Sequence, residues 1–100
     1  FGIMVGCGMG GAMTEIIDDV VFARAPIDGG GADDLLGRLR TLRRIPTLLS
    51  RRQRIIAADF LARFSAVIGS APWPKFTFEV NPLKLGTGHC VAVDGLLLIE

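Results

Sequence analysis

Phe76-Thr77-Phe78-Glu79-Val80-Asn81-Pro82-Leu83 leads to a turn at Gly86-Thr87-Gly88 and returns through Val91-Ala92-Val93-Asp94. Strand-forming runs on either side of a glycine-bearing turn predict a β-hairpin. If Asn81 lies opposite Asp94, strand alternation puts Phe76, Phe78, Val80, Val91 and Val93 on one face. Thr77, Glu79, Asn81, Ala92 and Asp94 then share the other. A slip of one residue would bury Asp94 among the valines, so the pattern itself selects this register. The polar face carries two carboxylates and an amide. Mg2+ takes oxygen ligands of this kind, often only one or two from the protein, with substrate phosphates supplying others. An ordinary half-exposed hairpin with a polar outer face produces the same pattern with no ligand.

Upstream, Ile3 to Val5 reads as a short strand, followed by a glycine-rich loop carrying Gly6, Gly8, Gly10 and Gly11. Ala12 to Ile17 and Val20 to Ala25 read as two strands joined by a tight turn at Asp18-Asp19. A first helix is expected from Ala32 to Arg44. Leu35, Leu36, Leu39 and Leu42 recur at helical spacing, acids sit in the first turn and arginines in the last. Pro46 ends it. A second helix is expected from Arg51 to Ile68, with Ser50 and Gln53 at capping-box spacing and Gly69 as a stop. Its apolar stripe is Ile56, Phe60, Phe64 and Val67. Ala71 to Pro74 connects it to the hairpin. The order of strands, two helices, then strands predicts an α+β fold, a mostly antiparallel sheet with two helices on one face.

Composition narrows the function. Half of the residues are hydrophobic, enough for a core in a chain of 100 residues. The net charge of +1 argues against a nucleic-acid partner, which would call for a strong basic excess. No apolar run approaches the roughly 18 residues of a membrane span. Cys7 and Cys90 lie far apart without CxxC spacing and read as reduced core thiols of a cytoplasmic protein. The chain opens on Phe1, with strand-like residues immediately after it. It reads as a single domain over 1–100 cut from a longer polypeptide.

Gly6, Gly8 and Gly11 satisfy GxGxxG, but a dinucleotide fingerprint needs the loop to open a helix inside a βαβ unit. Thr14-Glu15-Ile16-Ile17 runs into Asp18-Asp19 within a few residues, which leaves little room for that helix and makes a dinucleotide site the minor reading. Two readings remain open: an anion-binding nest of successive amides, and a tight turn that needs no side chains. Arginines 38, 40, 43, 44, 51, 52 and 54 read as solvated helix faces whose stems cover apolar surface. His89 has no partner at ligand spacing. Ser50 and Ser65 have no histidine nearby to activate them, so nucleophilic catalysis has no support.

The two ends together resemble a known family. Phe1-Gly2, Val5-Gly6-Cys7-Gly8-Met9-Gly10-Gly11, Thr14-Glu15 and Asp19-Val20-Val21-Phe22-Ala23-Arg24-Ala25-Pro26 are similar to the ATP-grasp part of NDP-forming acyl-CoA synthetases. Glu79-Val80-Asn81-Pro82-Leu83 and Ala92-Val93-Asp94 resemble that family's closing hairpin, in a C-terminal ATP-grasp subdomain. The group is acetate–CoA ligase (ADP-forming), related to succinyl-CoA synthetase β subunits. The resemblance implies conversion of acid, CoA and ATP into acyl-CoA, ADP and phosphate, through an acyl phosphate and a phosphohistidine on another domain. It assigns Asn81 and Asp94 to Mg2+, and Glu79 to meeting the phosphohistidine. It assigns Gly8, Gly10 and Gly11 to the glycine loop and Glu15 to the acidic residue after it. Ile3, Asp18, Leu96 and the Gly29-Gly30-Gly31 run depart from the family pattern.

The resemblance further implies two partners within the same enzyme: the remaining ATP-grasp subdomain, which supplies a lysine, and the CoA-binding, histidine-bearing domain. Without them the charge that drives phosphoryl transfer is incomplete, and the chain alone should be inactive. The competing reading is a non-catalytic α+β interaction or regulatory module in a fused acyltransferase. Glu79, Asn81 and Asp94 occurring together favour the enzyme.

Overall fold

The computed structural model describes residues 2–9 and 19–100. Strands β1 (Met4–Gly8) and β2 (Val20–Arg24) form an antiparallel pair in which Met4 faces Arg24 and Gly8 faces Val20. The ladder runs one rung further at each end: Ala25 donates its N–H to the Ile3 carbonyl (2.8 Å) and Met9 to that of Asp19 (3.1 Å). The expected loop therefore starts later than Gly6. Gly6 and Gly8 are strand residues because their partners fill the Cβ space. A Cβ on Gly6 would lie 2.6 Å from the Phe22 ring, and one on Gly8 would lie 2.9 Å from Val20 Cγ2. Gly10, Gly11, Glu15, Asp18 and the expected strand Ala12 to Ile17 lie outside the described residues.

Three helices follow: α1 (Gly29–Gly37), α2 (Arg40–Arg44) and α3 (Arg51–Gly69). The first expected helix begins earlier and breaks in two. Asp28 caps α1 by accepting the Gly31 N–H at 2.7 Å. Arg38 and Leu39 then donate to Leu35 and Leu36 in a tightened last turn, and Leu39 is extended at φ −64°, ψ 126°. The restart draws its cap from the residue before β2. The Asp19 carboxylate accepts the Arg40 N–H at 2.9 Å, and the Thr41 N–H and hydroxyl at 2.8 and 2.7 Å. Leu35, Leu36, Leu39 and Leu42 are all buried, so the apolar periodicity survives the break.

Helix α3 starts as its sequence predicts. Ser50 Oγ accepts the Gln53 N–H at 3.1 Å, and the Gln53 side chain accepts the Ser50 N–H at 2.9 Å. Its buried stripe is rotated from the expected one, to Ala57, Ala58, Leu61, Ser65 and Ile68. Val67 is 64% exposed, while Phe60 and Phe64 flank the stripe. Small residues at 57, 58 and 65 let the helix approach its neighbours closely. The Ser65 hydroxyl is satisfied, accepting the Ile27 N–H at 2.9 Å and donating to the Ala62 carbonyl at 2.8 Å. Val5, the α1–α2 leucines, Leu61 and Ile68 form one core between β1–β2 and the helices.

The C-terminal strands are β3 (Phe76–Val80), β4 (Leu83–Leu85), β5 (Cys90–Ala92) and β6 (Gly95–Ile99). Strand β3 pairs with β6 and β4 with β5, both antiparallel. One register covers both ladders: Val80 faces Gly95, Leu83 faces Ala92, and Gly86 donates to the His89 carbonyl at the tip (2.8 Å). Asn81 and Asp94 face each other in the gap, joined by the Asn81 N–H to the Asp94 carbonyl at 3.1 Å. Pro82 has no N–H to give the ladder, which interrupts the pairing without shifting it.

The single dry face is corrected by the structure. In β3 the half-buried residues are Phe76 and Val80, whereas in β4 they are Leu83 and Leu85. The buried set changes from even to odd positions across Asn81-Pro82. Val91 and Val93 consequently remain 50% and 52% exposed, outside the layer formed by Phe76 and Val80. The chain is thus α+β with antiparallel pairs, as expected, with three helices among the described residues where two were expected. Among the described residues no helix is long and apolar enough to cross a membrane.

Candidate functional site

An open cleft of about 880 Å³ lies between the β1–β2 pair and the start of the C-terminal hairpin. Gly8, Met9 and Phe22 line it from the first pair and Glu79 and Asn81 from the hairpin, and apolar residues of the helical layer, Leu39, Leu61 and Phe64 among them, line it as well. The structure therefore brings Gly8, Glu79 and Asn81 to one cavity from opposite ends of the sequence. Asp94 is not among the lining residues but stands opposite Asn81 in the register.

Glu79 faces Leu96 across the ladder, which makes Asp94 its diagonal neighbour on the return strand. Such neighbours have Cα atoms roughly 7–8 Å apart. Glu79, Asn81 and Asp94 are all exposed. Asp94 Oδ1 accepts its neighbour's N–H, from Gly95 at 2.9 Å. Neither Glu79 nor Asp94 has an ion-pair partner among the described residues. The ion pair on this ribbon lies at its far end, between Lys75 and Glu100 at 3.1 Å.

No three His, Cys, Asp or Glu side chains gather as a metal cage among the described residues. Asn81 and Asp94 instead offer one amide and one carboxylate oxygen donor. That set fits Mg2+, which uses few protein oxygens when phosphates complete its shell.

At Gly8 the glycine motif has a backbone consequence. The hydrogen-bonded rungs of β1–β2 fall at Ile3/Ala25 and Met9/Asp19. Alternation makes Gly8/Val20 a non-bonded pair, so the Gly8 N–H is directed away from β2. Among the described residues it emerges at the edge of a two-stranded pair, beside the cleft.

Other candidates fall away. His89 is exposed, and its ring lies over Gly86, where an added Cβ would be 2.7 Å from Cε1. Burial pushes the Cys7 thiol up to about 11, against the opposing influence of Arg38, so it is not a reactive thiolate. Six of the seven arginines between 38 and 54 are exposed, and Arg54 pairs with Asp33 at 2.7 Å.

Sequence reasoning missed Asp19 and Phe22. Asp19 is 3% exposed and its carboxylate binds the start of α2. Its hydrogen bonds hold its carboxyl below the ordinary value, the Thr41 N–H foremost. The helical periodicity ran unbroken through Leu39, which supplies no side-chain oxygen as an N-cap, so the restart that Asp19 caps was not marked in the sequence.

Residues 1–99 match the family model described as ATP-grasp domain. Two solved structures share the fold. The PH1788 protein from Pyrococcus horikoshii Ot3 aligns with a TM-score of 0.81 and 20% identity, over 97% of this chain and 42% of that one. The dinucleotide forming acetyl-coenzyme A synthetase 1 of Ca. Korarchaeum cryptofilum aligns with a TM-score of 0.78 and 21% identity, over 97% of this chain and 46% of that one. That protein was solved in complex with coenzyme A and Mg-AMPPCP, its phosphohistidine segment pointing towards the nucleotide binding site. The chain spans less than half the length of either structure. No curated protein sequence matches it.

Proposed function

The chain belongs to the ATP-grasp domain family, and from that premise we propose that it is the nucleotide-phosphate and Mg2+-binding segment of an NDP-forming acyl-CoA synthetase. The carrying observation is the Asn81–Asp94 pairing, with Glu79 one diagonal away and Asn81 and Glu79 in the wall of the cleft. The reaction joins an acid to CoA and converts ATP to ADP and phosphate, by way of an acyl phosphate and a phosphohistidine.

Asn81 and Asp94 would hold Mg2+, which when bound neutralises charge on the nucleotide phosphates. Glu79, exposed and without an ion-pair partner among the described residues, accepts a hydrogen bond from an incoming imidazole and orients it. Gly8 lets the backbone approach a phosphate and directs its N–H outward. Gly10, Gly11 and Glu15 continue that assignment as the glycine loop and the acidic residue after it.

The partners are the remaining ATP-grasp subdomain and the CoA-binding, histidine-bearing domain of the same enzyme. Strand β6 supports this reading. Leu96, Leu98 and Ile99 are each more than half exposed, an apolar ribbon suited to further protein. The location is the cytoplasm, where ATP and CoA are at hand. ATP-dependent labelling of the full-length polypeptide, with Asp94→Asn as the variant, tests the proposal.

A further inference from the structure

We infer that Asp19 is a positioning residue for the nucleotide cleft, joining the Gly8–Met9 wall to the helical layer; the inference rests on the nucleotide reading above. Asp19 acts in two directions. Through its main chain it accepts the Met9 N–H at 3.1 Å, the last described rung of the ladder that carries the wall. Its carbonyl would lie 3.0 Å from a Cβ on Gly8, so Gly8 can approach Asp19 only because it has no side chain. Through its carboxylate it binds the start of α2, with bonds of 2.9, 2.8 and 2.7 Å to Arg40 N, Thr41 N and Thr41 Oγ1.

These partners lie 21 and 22 residues away in sequence, so the contact joins separate layers rather than closing a local turn. Helix α2 is itself anchored by Leu42 in the core. Asp19 therefore ties the cleft wall to a buried helix, beside Gly8, Met9 and Val20, all of which line the cavity. The Arg40 guanidinium, 3.9 Å from Asp19 Oδ1, contributes little beside the backbone bonds.

A carboxylate is required because both of its oxygens face N–H donors. Asparagine would keep the shape but present an NH2 group to one of them. The cost would fall on the placement of β2's first residue, and so on the wall. Ser65 provides the comparison. It too ties separate elements from a buried position, through Ile27, but it does not line the cleft.

The test uses the full-length polypeptide, with Mg-ATP and CoA as probes. Asp19→Asn should raise the KM for Mg-ATP about tenfold while leaving the KM for CoA within about twofold, because misplacing a positioning group acts on the substrate it positions. Thr41→Val, which keeps both backbone bonds, should shift the Mg-ATP KM in the same direction by less. Ser65→Ala should lower Tm without changing either KM. An unchanged Mg-ATP KM in Asp19→Asn, or an equal rise in Ser65→Ala, would overturn the inference while leaving the nucleotide reading intact. Should Asp19→Asn fail to fold, an unchanged Mg-ATP KM in Thr41→Val overturns it instead. A wild-type protein that shows no saturation by Mg-ATP overturns both.

Discussion

Asn81 donates its backbone N–H to the carbonyl of Asp94 across 3.1 Å, at the point where the C-terminal hairpin changes which residues it buries. The pairing holds the two side chains at opposed register positions. Both residues are exposed, and Asn81 lines the cleft. A glutamate two residues before Asn81 completes an oxygen-rich end on a largely apolar ribbon.

Gly6 should resist enlargement because of Phe22. Gly6→Ala places a methyl where the ring now lies, 2.6 Å from Cε1. The ring is on the surface and can swing, so the cost should be about 1 kcal/mol, at the low end for overpacking. Phe22→Ala should remove most of that penalty. A double-mutant cycle by urea unfolding checks this; purely additive losses would contradict it.

Acid should weaken the Asp19 tie. The folded carboxyl is held below its ordinary value of 3.8, chiefly by the Thr41 N–H. A group with a depressed folded pKa stabilises the protein fully above its unfolded value and loses that stabilisation as pH falls through the folded one. Asp19→Asn should therefore be less stable than wild type at neutral pH, and the gap should narrow below the ordinary value. Unfolding curves over a pH series measure this; a gap that widens in acid would contradict it.

Glu79→Gln should separate binding from transfer. The variant keeps its volume and loses the charge offered to the imidazole, so Mg-ATP affinity should stay within about twofold while histidine phosphorylation falls roughly 10²-fold, the usual scale for losing one positioned polar group. Rapid-quench labelling and equilibrium nucleotide titration of the full-length polypeptide give the two values.

Residues 1–100 alone should bind Mg-ATP weakly or not at all, because the lysine-bearing subdomain is expected from another part of the enzyme. Titration calorimetry on the isolated chain checks this; micromolar affinity would contradict it.

The legible features were those written in local pattern. The Asn81–Asp94 register followed from alternation, the Ser50–Gln53 cap from spacing, and the buried leucines of α1 and α2 from helical periodicity. The missed features depend on partners distant in sequence. The break at Leu39 depends on Asp19, which no periodicity reveals. Gly6 read as part of a loop because the Phe22 ring that fills its Cβ space lies on another strand. Helix α3 turned one position from its greasiest face because Ala57, Ala58 and Ser65 allow close packing. The valines of the return strand stayed exposed because the hairpin reverses its buried side at Asn81-Pro82. Of the candidate site residues, Gly8, Glu79 and Asn81 line one cavity, and Asp94 faces Asn81 from the opposite strand.

The metal assignment carries the whole functional reading, and Asp94→Asn tests it most directly. The substitution preserves volume at an exposed position, so Tm should stay within roughly 2 °C of wild type, the scale of a surface change. It removes the one charged oxygen from the proposed donor pair, so ATP-dependent phosphorylation of histidine in the full-length polypeptide should fall about 10²-fold or more. Slow labelling by a folded Asp94→Asn protein is the predicted result. Labelling at the wild-type rate, or a loss of activity that merely follows unfolding, would contradict the assignment.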